Sequence, residues 1–257
     1  MTKITFIPIA DTLPEYNPKP ASKTLPEWYK KTSRYINGKK EVPRNLDSGT
    51  MATIKACIPV FDAMTNGYTL FTQSDLWVWD EINEETKKLD KYFRWGANQP
   101  IEFHSINQFS EHPKWSEFGN AYKFVNSWII NTPKGYSCLF TAPFQHVLPY
   151  KIIDGVVDTD NYYNPINFPF VFTDAGFTGL IPAGSPIVQI IPFKREKWNM
   201  ELKPWGQYEK EIKLNEKNFS EAIELREGLP HKLTKKDCSS NQKVLLNNET
   251  SNILIIT

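Results

Sequence analysis

Residues 151–195 read KIIDGVVDTDNYYNPINFPFVFTDAGFTGLIPAGSPIVQIIPFKR, and this stretch decides the fold. It contains short runs of β-branched and aromatic residues separated by clusters of Gly, Pro, Asn and Asp. The apolar runs lie at residues 152–153 with 156–157, at 166–172 and at 187–193. Such runs bounded by turn-forming residues are typical of strands joined by tight turns. The stretch therefore predicts a mainly β protein.

The composition of the whole 257-residue chain indicates the same class. It contains 16 Phe, 11 Tyr and 8 Trp, together with 19 Pro against 12 Gly. Aromatic residues fit the half-buried surface of a sheet, whereas Pro breaks helices. We therefore predict a mainly β fold with α+β character only at its edges.

Charge, hydropathy and cysteine content restrict the partners and the compartment. Thirty basic residues against 29 acidic ones leave a net charge of +1, so nothing favours nucleic acid or an anionic membrane surface. No run of about 18 apolar residues occurs, so we expect no membrane partner. The three cysteines form no Cys-x-x-Cys pair, which is simplest in a reducing compartment. We expect a soluble, cytoplasmic protein.

The rest of the chain divides into three regions. Residues 1–50 are rich in proline and predict an extended arm, in which Trp28 and Tyr29 anchor the arm to the core. Residues 51–198 predict the β core. Residues 199–257 predict a helix and a polar tail, because apolar residues recur at helical spacing after Trp198.

Two features of the core predict pairs of strands. Residues 53–64 and 67–82 are both strand-like, and Asn66-Gly67 between them predicts a hairpin because both residues tolerate positive φ. Residues 122–130 and 136–142 predict a second pair, joined by a turn. We expect Cys138, which lies in the latter strand, to be a core residue.

Two carboxylates and two tyrosines occur within six residues, from Asp158 to Tyr163. Asp158 and Asp160 are two positions apart at a strand end and therefore share a face, where one can act as a general base, while Tyr162 can stack on a planar ring. The alternative is a turn in which Asp and Asn side chains bond to their own backbone. Close carboxylates disfavour joint ionisation, so one pKa is raised unless a cation or donor lies between them.

A resemblance to a known superfamily rests on two segments. Gly155-Val156-Val157-Asp158 and Gly184-Ser185-Pro186-Ile187-Val188-Gln189-Ile190 resemble, in order and spacing, the second half of trimeric dUTPases and dCTP deaminases. The similarity covers roughly residues 122–195. The chain as a whole also resembles an uncharacterised family from marine bacteria and their phages.

The resemblance implies a β-clip fold, a homo-oligomer (a trimer first and a dimer second) and a nucleotide as ligand. It implies Asp158 as the catalytic residue, with Asp160, Tyr162 and Gln189 binding the ligand. Mg²⁺ is implied only if the protein hydrolyses nucleotides. His104, His112 and His146 lack the compact spacing of metal ligands, so we predict no metal site.

The chain departs from the superfamily where the triphosphate binds. In place of the Arg-Ser-Gly segment it has Ala142-Pro143-Phe144-Gln145-His146. Triphosphate binding needs positive donors and close backbone approach. We therefore expect a binding or assembly module of phage or marine-bacterial origin in preference to an enzyme. The alternative is a divergent dUTPase-like hydrolase that uses Asp158 to activate water.

Overall fold

The computed structural model describes residues 2–36, 52–84, 87, 89–96, 100–104, 111 and 121–203. The chain separates into two compact units, residues 1–196 and 197–257. Residues 197–203, the described part of the second unit, form no helix or strand. The predicted helix after Trp198 otherwise lies outside the described residues. In the described part of the chain, no helix is long and apolar enough to cross a membrane.

The first unit is mainly β, as the sequence predicts. Its described residues form fourteen strands in four antiparallel sheets, with two α-helices and three short 3₁₀ turns. The strands are β1 (Thr5–Pro8), β2 (Lys19–Pro20), β3 (Tyr68–Phe71), β4 (Leu76–Ile82), β5 (Leu89–Trp95), β6 (Ile101–His104), β7 (Ala121–Phe124), β8 (Trp128–Asn131), β9 (Tyr136–Thr141), β10 (Tyr150–Ile152), β11 (Gly155–Val157), β12 (Phe168–Phe172), β13 (Gly179–Ile181) and β14 (Pro186–Lys194). The helices are α1 (Glu27–Lys31) and α2 (Ile58–Thr65), and the 3₁₀ turns are Pro14–Tyr16, Ala21–Lys23 and Ile54–Ala56.

The largest sheet has five strands in the order β11-β9-β14-β3-β2. Its central strand, β14, is hydrogen-bonded to β9 on one side and to β3 on the other. Residues 187–190 of β14 are all buried. A strand covered on both faces is largely apolar, which explains the run of apolar residues at 187–193 that only Gln189 interrupts.

The other sheets have the orders β10-β12-β7-β6, β13-β4-β5 and β1-β8. Their inner faces meet the large sheet in one apolar core that is rich in aromatic rings. Phe124 and Phe170 stack with centroids 4.3 Å apart, and Phe124 contacts Tyr150 edge-on at 4.9 Å. Aromatic pairs in these geometries stabilise a core beyond the area they bury.

A buried ion pair lies beside this aromatic core. The Lys91 side chain is 2 % exposed, and its Nζ lies 2.6 Å from Asp80 Oδ1 and donates to the Phe177 carbonyl at 2.9 Å. The Tyr122 hydroxyl accepts a hydrogen bond from the Lys91 backbone N–H and donates to Asp90 Oδ1. Burial raises the pKa of Tyr122 well above its usual value, so this hydroxyl remains a donor.

The proline-rich arm is packed against the sheets. β1 pairs with β8 and β2 pairs with β3, so the arm joins two of the sheets. Tyr29 is buried and stacks on Phe61 of α2. Tyr29 therefore anchors the arm, as predicted, while the half-exposed Trp28 is held by a hydrogen bond from Nε1 to the Gln145 carbonyl.

The predicted strand at residues 53–64 is wrong, because Ile58–Thr65 forms helix α2. Pro59 lies at the helix start, where its fixed φ suits the first turn. At the other end, the Gln189 side chain donates to the carbonyls of Ala63 and Asn66. A short apolar run does not distinguish strand from helix, and here a contact from a distant strand satisfies the helix end.

The hairpin predicted at Asn66-Gly67 is wrong for the same reason. Gly67 follows a helix, has φ of +75° and lies so close to β14 that a Cβ would be 1.9 Å from the Ile190 carbonyl oxygen. The glycine therefore allows close approach of two backbones as well as a left-handed turn.

The single strand predicted at residues 122–130 is also wrong. β7 ends at Phe124 and β8 starts at Trp128, and the two strands belong to different sheets. Buried Asn126 makes the break, because its side chain bonds both the N–H and the carbonyl of Trp128. β8 pairs with β1, while β9 pairs with β11 and β14.

We predict that Gly67→Ala destabilises the fold by at least about 2 kcal/mol, since it adds a left-handed alanine to a backbone clash. Gly155→Ala is the matched control, because Gly155 has no neighbour within 4 Å of an added Cβ and no positive φ. Urea unfolding measures both changes. Equal stabilities of the two variants would contradict the close approach at Gly67.

Candidate functional site

The sequence-predicted aspartates lie at one end of the five-stranded sheet. The antiparallel registers place Val157 opposite Cys138 and Lys194 opposite Tyr136. The end of β11, the start of β9 and the end of β14 are therefore adjacent. This arrangement brings Asp158 close to Ser137 and to Arg195.

Arg195 joins the two predicted site carboxylates. Its Nη1 lies 3.0 Å from Asp158 Oδ1 and donates to Asp160 Oδ1 at 2.9 Å. Its Nη2 donates to the second carboxylate oxygen of Asp160, which makes that pair bidentate. The two carboxylates therefore converge, as their spacing predicts, and a cation lies between them.

The cation changes the ionisation of the buried member of the pair. Hydrogen bonds from Arg195 and from the Gly135 backbone N–H, the latter 2.7 Å long, lower the pKa of Asp160 from its usual 3.8 to about 2. The Arg195 guanidinium therefore relieves the repulsion between the two carboxylates. The sequence predicts a raised pKa for one of them unless a cation lies between them, and here a cation does.

Asp158 differs from Asp160 in its exposure. Its side chain is 57 % exposed, whereas that of Asp160 is buried. Asp158 Oδ1 accepts a hydrogen bond from Ser137 Oγ at 2.6 Å in addition to its ion pair with Arg195. Tyr162, four residues along, is 41 % exposed. An exposed carboxylate oxygen and an exposed ring thus lie on the same turn.

The turn itself is held by backbone groups. The Asp158 carbonyl accepts the N–H groups of Asn161 and Tyr162, at 2.9 and 3.1 Å. Its carboxylate does not cap this turn. Asp160 closes a different turn, the one before β9, through its bond to Gly135. Asp158 therefore uses its carboxylate for Ser137 and Arg195, and Asp160 links its own turn to the turn before β9.

Buried side chains pack against the turn at residues 158–162. Thr159 is fully buried, and its hydroxyl bonds Thr132 Oγ1 at 2.7 Å and Cys138 Sγ at 3.3 Å. Cys138 is a core residue, as predicted, and burial raises the pKa of its thiol. A buried thiol with a raised pKa is unreactive, so these residues serve packing.

Sequence reasoning did not identify Arg195, which lies in the charged segment Lys194-Arg195-Glu196-Lys197 at the end of β14. Its neighbours Lys194 and Glu196 have exposed side chains that pair with each other at 2.8 Å. Arg195 lies between them in sequence and therefore points to the opposite side. The period-two alternation of β14, continued by one residue, is the signal that identifies it.

Gln189 lies apart from the aspartates, in the middle of β14. Its side chain is 2 % exposed, and Oε1 accepts the Phe144 N–H at 3.1 Å. Both hydrogens of its amide are used by the end of α2, through Ala63 and Asn66. The amide predicted to bind a ligand therefore joins a helix, a strand and a loop of the protein itself.

Among the described residues, no group of three or more His, Cys, Asp or Glu side chains is arranged to hold a metal ion. His112 lies outside those residues. His146 lies at a different place from the carboxylates, in the turn after β9, where burial lowers its pKa. The Asp158–Asp160 pair already has a cation partner in Arg195.

A scan against protein-family models finds no match to this chain, and a search of curated proteins finds no significant relative. The function proposed below is therefore supported by the contacts of the described residues and by the motif resemblance in residues 122–195.

We predict that Gln189→Met, which keeps the side-chain length, costs roughly 2–4 kcal/mol of stability because one N–H and two carbonyls lose their buried partner. Hydrogen exchange checks the mechanism: protection falls in α2 first. A variant that keeps full stability but loses ligand binding would instead support Gln189 as a ligand residue.

We predict a pH signature for Asp160. Because its folded pKa lies below the unfolded value of about 3.8, its ion pair stabilises the fold above about pH 4, and this contribution is lost as the pH falls through about 2. Asp160→Asn is therefore less stable than wild type at pH 6, and the difference disappears near pH 2. Urea unfolding across this range measures it, with exposed Asp154→Asn as the control.

Proposed function

We propose that this protein is a β-clip module that serves binding or assembly, and that it is not a nucleotide hydrolase. The observation that carries the proposal is the engagement of Arg195. This arginine is the cation beside the predicted site, and both of its terminal nitrogens are bound to Asp158 and Asp160. It is therefore not available to a triphosphate, which needs such donors.

The β-clip assignment has support from the pairing of the two resembling segments. Residues 155–157 form β11 and residues 186–190 belong to β14, and both strands pair with β9 in one antiparallel sheet. The segments that resemble dUTPases thus flank the same strand, β9, as well as being ordered in sequence. Origin in marine bacteria or phages is part of the same proposal, from the whole-chain resemblance.

Assembly into a homo-oligomer, a trimer or a dimer, has support from the sheet β13-β4-β5. Trp77 and Leu180 are cross-strand neighbours on its outer face, and both are substantially exposed. On the same face of β4, Trp79 stacks on Tyr92 at 6.3 Å. An aromatic face of this kind fits contact with another subunit, and light scattering measures that state directly.

The second candidate is a divergent dUTPase-like hydrolase, and the exposure of Asp158 favours it. One oxygen of this carboxylate is engaged by Ser137 and Arg195, while the side chain is more than half exposed beside Tyr162. In that case Asp158 activates water, Tyr162 stacks on the base, and Mg²⁺ is bound with the substrate phosphates.

We predict that the wild-type protein releases no phosphate or pyrophosphate from dUTP or dCTP, with or without Mg²⁺. Asp158→Asn should cost on the order of 1 kcal/mol of stability, the size of one lost hydrogen bond. It should leave any nucleotide-induced rise in melting temperature unchanged. Asp154→Asn is the control for charge. Turnover by wild type that Asp158→Asn abolishes would establish the hydrolase instead.

A further inference from the structure

A cleft of about 500 Å³ lies between the proline-rich arm and the start of β14. The arm lines one side through residues of β2, the following 3₁₀ turn and α1. Phe71 of β3, His146 of the turn after β9, and Pro186 line the other side. A concave site of this volume is in the range that holds a small molecule.

The cleft is basic although the chain as a whole is nearly neutral. Three lysines line it, Lys19, Lys23 and Lys30, against one carboxylate, Glu27. Glu27 pairs with Lys30 at 2.6 Å. Among the described residues, neither Lys19 nor Lys23 has a carboxylate within ion-pair distance. Two positive charges therefore face the cleft without an ion-pair partner among the described residues.

An aromatic ring with a fixed orientation lies beside these charges. Trp28 is 37 % exposed and lines the cleft. Its Nε1 donates to the Gln145 carbonyl at 2.8 Å, and its ring contacts buried Tyr29 edge-on at 5.6 Å. A partly exposed indole held at both its polar and its apolar edge is a preformed surface for stacking a planar group.

The turn after β9, which accepts the hydrogen bond from Trp28, is also constrained by contacts within the protein. Gln145 has φ of +62°, a left-handed conformation that is uncommon outside glycine. The bond from Trp28 holds its carbonyl, and Gln189 Oε1 holds the N–H of the preceding Phe144. This constrained turn directs His146 into the cleft. His146 is partly buried, and Thr24 of the arm lines the cleft with it.

We infer that this cleft binds a small molecule that carries a phosphate group next to a planar ring, the chemistry of a nucleoside monophosphate. Lys19 and Lys23 neutralise the phosphate as point charges, and Trp28 stacks on the ring. The cleft and the Asp158 cluster lie at opposite ends of the nine-residue strand β14, about 25–30 Å apart at the rise of a strand. The cleft is therefore distinct from the Asp158 cluster. An experiment that excludes a ligand in the cleft leaves the proposed function untouched.

Titration calorimetry on the full chain tests the site, with AMP as the probe and adenosine and inorganic phosphate as its two halves. The double variant Lys19→Gln, Lys23→Gln should weaken AMP binding about tenfold. The matched control is Lys3→Gln, Lys151→Gln, which removes two exposed charges elsewhere and should leave binding unchanged.

Trp28→Leu separates stacking from charge. It should weaken AMP binding about tenfold and leave phosphate binding unchanged, and its melting temperature verifies that it folds. The site would be overturned if wild type bound neither AMP nor phosphate at 10 mM. It would equally be overturned if the two double lysine variants lost the same affinity, or if the Lys19, Lys23 variant kept full affinity. Adenosine bound as tightly as AMP would also overturn it, because the phosphate would then contribute nothing.

Discussion

The pairing of β14 on both sides is the constraint on which the rest of the large sheet depends. β9 and β3 are not paired with each other, so the hydrogen bonds of β14 hold them in one sheet. A strand in this position has no free edge, and residues 187–190 of β14 are all buried. Gln189 is the polar residue of this buried run, and its side-chain amide is bound by the helix and the turn that it joins. The strand thus positions elements that are far apart in sequence.

The smaller sheets are held by aromatic packing and one satisfied polar cluster. Lys91 is buried, yet it is bound by Asp80, by a backbone carbonyl and by the face of Phe172, whose centroid is 5.4 Å from Nζ. Tyr122 takes part in both features, since its ring packs on Phe93 at 5.1 Å while its hydroxyl bonds the β5 backbone. Buried charge is tolerated only with such compensation. The cluster therefore fixes how β5 aligns with β7.

Local patterns in the sequence predicted the mainly β class and the strands of residues 151–195 other than β13, because alternation and turn chemistry act within a few residues. They did not identify β13, whose three residues are too short for a pattern. They also failed at residues 53–64, where the bonds from Gln189 to the end of α2 span more than 120 residues. Arg195 was missed because its partners depend on the β9–β14 register. The features that the sequence did not predict, such as α2 and the partners of Arg195, therefore depend on contacts between residues far apart in the chain.

The charged side chains at the two ends of β14 differ in whether they already have ion-pair partners. This difference indicates where an anionic ligand can bind better than residue type does. At Arg195 the charged groups are oriented toward each other, and a guanidinium between two carboxylates leaves little positive field for an incoming anion. Near Pro186, Lys19 lies 5.3 Å from the ring of Phe71 and Lys23 has no acidic partner among the described residues, so their field extends into the cleft. An anion entering that cleft breaks no ion pair of these two lysines. An anion at Arg195 must break two ion pairs, so the cleft is the site that binds it at lower cost.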